Sequence, residues 1–140
     1  MSFYRSKLYS EERCLEYLFQ LRYPNIQCKA CNRKKSFHRD RKKQSFTCNC
    51  GKTHIFPRKG TIFGSSHLPL LTWIHAIFLL SRTKGRMPAQ EVGVYLNVSY
   101  PTAWRMKNII MKTLELDAET SPARWTFQTI MKKCATTDMR

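Results

Sequence analysis

Two close cysteine pairs, Cys28 with Cys31 and Cys48 with Cys50, stand sixteen residues apart, and seven of those sixteen are Lys or Arg. The pairs gain by converging, whereas the cations between them repel. Thiolates two or three positions apart on a tight turn can share one tetrahedral ion, and four of them close a site that no hydrophobic core need support. The spacing therefore predicts one Zn2+ held by Cys28, Cys31, Cys48 and Cys50, with the ion supplying folding energy to a segment poor in apolar residues. The second pair is one residue shorter than a C-x-x-C, and His54, four residues beyond Cys50, is the alternative ligand. A redox C-x-x-C would need a thioredoxin-like βαβ context that this stretch lacks. Cys14 and Cys134 read as buried or free thiols.

The sixteen residues suit a β-hairpin with "KSFHR" and "QSFTC" as arms and "DRKK" as its turn. Its cations, Arg33, Lys34, Lys35, Arg39, Arg41, Lys42 and Lys43, would point outward, and their expected role is phosphate contact rather than mere solvation. The composition supports this: 25 Lys or Arg against 9 Asp or Glu give a net charge of +16 over 140 residues. Such an imbalance predicts a polyanionic partner, with nucleic acid foremost. A membrane surface would call for an amphipathic basic helix or a lipid signal, and neither is visible. The longest apolar stretch, around "LPLLTWIHAIFLL", is too short and interrupted to span a bilayer. The start, "MSFYRSKLYSEER", has no apolar run followed by a small-residue cleavage site. A soluble, intracellular chain with reduced cysteines is expected.

Around the ribbon the chain reads as helical. Residues 10–22 open with Ser10 as a cap and Glu11 and Glu12 at the positive end of the helix dipole. Cys14, Leu15, Leu18, Phe19 and Arg22 form its stripe, and Pro24 ends it. The ribbon spans 25–60, and "GTIFGSSHLP", 60–69, reads as a Gly/Ser-punctuated linker. A second helix runs from Pro69 to Arg82 until "TKGRMP" breaks it. Pro88 then opens a short helix, 88–96, Asn97 and Val98 make a tight turn, and Ser99 caps a longer helix over 100–115. Ala89, Val92, Leu96, Val98, Ala103, Met106 and Ile110 are spaced to pack these two helices at a steep angle. That is a helix-turn-helix pattern, whose second helix enters the major groove. Ser99, Tyr100, Thr102, Arg105 and Lys107 are its candidate DNA-contacting residues. A last helix is expected over 122–134, started by Ser121 and Pro122. The fold class is thus α+β and mostly helical: N-terminal helix 1–24, ribbon 25–60, helix-turn-helix domain 61–116, and C-terminal helix or tail 117–140.

"SEERCLEYLFQLRYP", the cysteine ribbon, "GTIFGSSHLPLLTWIHAIFLL" and "LNVSYPTAWRMKNII", in that order, resemble the N-terminal region of a group of bacterial insertion-sequence transposases over roughly residues 8–115. The resemblance implies a zinc ribbon joined to a helix-turn-helix that binds transposon-end DNA in the bacterial cytoplasm, at the nucleoid. It also implies a C-terminal RNase H-like domain whose acidic triad holds two metal ions. Here only 25 residues follow Glu115, and Asp117, Glu119 and Asp138 show no sign of converging. The expectation is therefore a non-catalytic, transposase-derived DNA-binding protein, an accessory or recruitment factor that adds contacts with double-stranded DNA to a partner nuclease (for example an RNA-guided one) or transposase. A stand-alone transcriptional regulator is one alternative. An RNA-binding ribbon, with Phe37 and Phe46 stacking bases, is another. A minimal nuclease built on His38, His54, His67 or His75 would need a His-rich motif or carboxylate cluster that is not seen. Trp125, Phe127, Ile130 and Met131 would either pack on the helix 69–82 or form a homodimer surface.

Overall fold

Helix α1, Glu11–Arg22, begins where Ser10 accepts a hydrogen bond from Arg13 N. The computed structural model describes residues 10–64, 66–115 and 126–136. Cys14, Leu15 and Leu18 bury the inner stripe of α1, and Phe19 lies stacked on Phe46 with ring centroids 4.1 Å apart. That stack joins the helix to a three-stranded antiparallel sheet, β1 (Phe37–Asp40), β2 (Ser45–Cys48) and β3 (His54–Ile55), in the order β1-β2-β3. The central strand β2 is buried along its whole length. The hairpin forms as expected, but Asp40 pairs with Ser45, so the turn is Arg41–Gln44 and not 40–43. The carboxylate of Asp40 accepts from Lys42 N at 3.1 Å, closing the turn while its own backbone stays in the ladder. Strand β3, two residues long, carries too little pattern to be read from sequence.

Helix α2, Leu70–Thr83, is the hub. Leu70, Trp73, Ile74, Ala76, Ile77 and Leu80 are all buried. Helices α1, α3 (Ala89–Leu96), α4 (Tyr100–Glu115) and α5 (Phe127–Thr136) all pack against it. A helix apolar on most of its circumference is one enclosed by others. Its N-terminus starts at Pro69, which offers no side-chain cap. The missing acceptor comes from α1: the Glu11 carboxylate accepts from Leu70 N at 2.6 Å and Leu71 N at 2.9 Å. One acidic side chain thereby sits on two orphan N–H groups and on the positive end of the dipole.

Residues 60–69 do more than link. Ile62 and Phe63 are buried in the same core as α2, with Phe63 edge-on to Trp73 at 5.7 Å. Glycine and serine supply the turns, but the apolar pair between them is drawn inward. The Arg58 guanidinium holds the segment, donating to the carbonyls of Phe63, Ser66 and Leu68 at 2.8 to 3.1 Å. Arg22, counted with the stripe of α1, instead donates to the carbonyls of Pro57 and Lys59, both at 2.8 Å.

At the C-terminal end, α5 packs back. Ile130, Met131, Cys134 and Ala135 are buried in the core, and Phe127 is half-buried near Tyr17 and Phe78. Ile130 and Met131, two of the four residues expected either to pack on α2 or to form a homodimer surface, are covered from within. Ser121, Pro122 and Trp125 lie outside the described residues. None of the described helices is long and apolar enough to cross a membrane.

Replacing Glu11 by Ala removes the acceptor for Leu70 and Leu71 and is expected to lower folding stability by about 1–2 kcal/mol. Glu12→Ala, at an exposed neighbour, should stay within about 0.5 kcal/mol of the parent. Urea denaturation of the two variants makes the comparison.

Candidate functional site

The two cysteine pairs meet at one point. The Sγ atoms of Cys28, Cys31, Cys48 and Cys50 all lie within 4.8 Å of one another and could hold a metal ion. Each pair rides on a tight turn. In the first, Asn32 N donates to Cys28 O at 2.8 Å and Asn32 itself takes a left-handed φ of 60°. In the second, Gly51 N donates to Cys48 O at 2.8 Å with φ 78°, a conformation natural to glycine. The shortened C-x-C is thus accommodated by Gly51. Each knuckle is closed by its own backbone bond, Cys28 N to Arg33 O and Cys48 N to Thr53 O, and Asn49 N donating to Ser36 O at 2.8 Å ties the second to the segment that follows the first.

Hydroxyls surround the sulfurs. Thr53 Oγ1 is 3.1 Å from Cys28 Sγ, and Ser36 Oγ is 2.9 Å from Cys48 Sγ. The Thr53 hydroxyl is the main reason that the Cys28 thiol is pulled down to about 6. The Cys50 backbone N–H, then Ser36, lowers Cys48. At Cys31 the Arg33 backbone N–H also pulls down, but desolvation and the three neighbouring cysteines lift it to about 11. Four thiolates this close cannot all be ionised alone, and a cation among them removes that conflict. Cys14 and Cys134 behave oppositely: burial pushes both thiols up to about 12, leaving them protonated.

The alternative ligand is elsewhere. His54, exposed on β3, hydrogen bonds through Nδ1 to Thr47 Oγ1 at 3.0 Å. His38 Nδ1 contacts Asn49 Oδ1 at 2.8 Å, and His75 is half-buried, its pKa lowered by desolvation. Among the described residues, the cysteine quartet is the one group of three or more His, Cys, Asp or Glu arranged for a metal. Asp117, Glu119 and Asp138 lie outside the described residues.

Of the hairpin cations, Arg33, Lys34, Lys35, Arg41, Lys42 and Lys43 are exposed. Arg39 differs: its Nη1 donates to the carbonyls of Asp40, Lys43 and Ser45, and its guanidinium lies over the Phe46 ring. It ties the turn together from inside. Phe46 is 5% exposed and stacked on Phe19, and Phe37 is half-buried near the same ring. Of the two rings named for base stacking, Phe46 has no open face to use, and Phe37 is half-buried.

Helices α3 and α4 are joined at Asn97, whose left-handed φ of 56° lets its N–H reach the carbonyls of Gly93 and Val94. Gly93 permits the close crossing, because a Cβ there would stand 3.1 Å from Val98 O and 3.4 Å from Ala103 Cβ. Val92, Ala103, Met106 and Ile110 are buried, as their spacing requires. Outward, α4 presents Pro101, Trp104, Arg105, Asn108 and Lys112, with Tyr100 at its start. Thr102 is half-buried, its Oγ1 accepting from Ser99 Oγ at 2.9 Å, and Lys107 donates to Met87 O at 2.8 Å. The residue that sequence reading missed is Trp104, 54% exposed at the centre of this face. Its position opposite the Ala103–Met106–Ile110 stripe was the available signal. Compared with known proteins, the chain matches no protein-family model, no curated protein and no solved structure.

Outer hydroxyls tune a metal centre by roughly 10–100-fold in affinity. Thr53→Val should therefore weaken metal binding by about tenfold or more, measured by competition with a chromophoric chelator, while Thr72→Val, remote on α2, leaves it unchanged.

Proposed function

We propose that this chain is a DNA-binding protein in which a zinc ribbon and a helix-turn-helix act together, related to the DNA-binding region of insertion-sequence transposases. The observation that carries the reading is the helix-turn-helix itself: α3 and α4 crossing closely at Gly93, with the outer face of α4 exposed and bearing Arg105. In such a pair the second helix enters the major groove and its outer residues meet base edges. The exposed cations of the hairpin and the net charge of +16 add the sequence-independent attraction to phosphates that duplex binding requires. The proposed role is recruitment: the chain supplies DNA contacts to a partner nuclease or transposase, and no reaction is assigned to its described residues.

The choice of zinc rests on donor chemistry and spacing. Sγ–Sγ separations of 3.7 Å for Cys28–Cys50 and 3.5 Å for Cys31–Cys48 fit the edge of about 3.8 Å of a tetrahedron with metal–sulfur distances near ~2.3 Å. Four thiolates favour zinc over magnesium or calcium, which take oxygen ligands. Metal analysis of the purified protein should return one zinc per chain. Cys28→Ser should release it and unfold the ribbon, while circular dichroism keeps most of the helical signal. Full ribbon folding without metal would reject the assignment.

For DNA, six exposed cations on phosphates predict a slope of log affinity against log salt of roughly −5. Affinity for a duplex should then fall on the order of a thousandfold between ~50 and ~200 mM salt. Neutralising Arg41, Lys42 and Lys43 together should weaken all sequences alike, whereas Arg105→Ala should erode preference for one sequence by about 1–3 kcal/mol. Fluorescence anisotropy across a salt series tests both. Salt-insensitive binding, or tighter binding to structured RNA than to duplex DNA, goes against the reading.

A further inference from the structure

Between the ribbon and the recognition helix the surface is hollowed into two adjoining cavities of about 590 and 350 Å3. The first reaches from Gln44 in the hairpin turn to Lys59, Ser66 and His67. The second starts again at Ser66 and His67 and ends at Thr102 and Arg105 on α4. Because they share two residues, they make one depression running from the cationic turn to the helix that faces outward. None of the described residues lining either cavity is acidic. A cleft lined by one sign of charge with apolar walls focuses attraction on an anion.

The floor is fixed. Arg58 clamps three carbonyls of the intervening loop, and Ile62 and Phe63 anchor it in the core. Gly60 and Gly64 line the first cavity and leave its wall without side chains there. Gly64 is obligatory, since a Cβ would stand 2.6 Å from Arg58 O. Such a surface lets a backbone approach closely and needs no rearrangement to receive it. Lys59 and His67, both exposed, are placed at the rim as donors.

We propose that this depression is a phosphate channel for duplex DNA, in which Lys59, Gly60, Gly64, Ser66 and His67 grip the stretch of backbone that runs between the ribbon's contacts and those of α4. It rests on the DNA-binding reading above and adds to it a third contact element. The two modules then hold one uninterrupted length of duplex in a fixed relation and do not act as two independent grips.

The test uses the full chain and a duplex selected from a random library by the unmodified protein. Lys59→Glu should weaken binding about tenfold or more, and Lys59→Gln should make the salt slope shallower by about 0.9. Lys52 is exposed and lines neither cavity, and Lys52→Glu, with the same change of charge, should cost less than about threefold. Hydroxyl-radical cleavage of the bound duplex should show a single continuous protected run on one strand. Equal losses at Lys59 and Lys52, no loss at Lys59, or two protected runs with an open gap would each overturn the channel and leave DNA binding standing. Absence of duplex binding by the unmodified protein would remove the proposed function, and the channel with it.

Discussion

A single carboxylate sets how the helices meet. Glu11 leaves the first turn of α1 and caps the start of α2, so the two helices are fixed end to end before any apolar contact is counted. Arg58 approaches the same carboxylate at 3.9 Å while clamping the loop that leads into α2. Burial lowers the Arg58 pKa, the Glu11 charge opposes that shift, and a guanidinium remains ionised regardless. The ribbon, α1 and α2 therefore share one electrostatic junction. The stacked Phe19 and Phe46 rings lie on its ribbon side, and the core around α2 on the other.

Some cations of this chain are turned onto its own main chain, and others face solvent. Arg22 and Arg58 place their guanidiniums on main-chain carbonyls of loops, and Arg39 places its own on carbonyls of the hairpin turn and the strand residues that flank it. Lysines of the hairpin turn stand in solvent. A guanidinium offers several donors in a rigid plane and is weakly hydrated, so it suits a cluster of carbonyls; an ammonium is a strongly hydrated point charge that stays in solvent or, like Lys107 with Met87, takes a single carbonyl. Composition overstates how many cations can touch an anionic partner directly, because the donors of Arg22, Arg39 and Arg58 are engaged by carbonyls within the fold, although their charge still adds to the field.

Local chemistry was legible in the sequence and tertiary chemistry was not. The cysteine quartet, the Ser10 cap, the breaks at Pro24 and Lys84–Gly85, and the turn at Asn97 all depend on residues close in the chain, and each stands where its spacing put it. Glu11 illustrates the limit. As a first-turn acid it was correctly placed, yet its two backbone partners lie 59 and 60 residues away. Likewise Arg39 in a run of cations looks like its neighbours, and only the curl of the turn brings three carbonyls around it. Residues 60–69 look like a linker because Gly and Ser outnumber the apolar residues there, although burial of only two, Ile62 and Phe63, decides where the segment lies. On α4 the period of the apolar residues identifies the inward stripe, whereas the outward Trp104 carries no periodic signal of its own, because a single aromatic ring fits a core as readily as a surface.

The contact between Glu11 and Leu70 also has a kinetic side. It closes a loop across 59 residues, a separation that slows folding more than it weakens the folded state. An ion seated among Cys28, Cys31, Cys48 and Cys50 cross-links the chain inside that loop and takes about twenty residues out of the effective path. Loop-closure entropy changes only logarithmically, so the gain is roughly 0.4 kcal/mol. An ion there would also close the hairpin independently of the Glu11 contact, so that Phe46 could be in place as a surface for Phe19 of α1 whether or not α2 had docked.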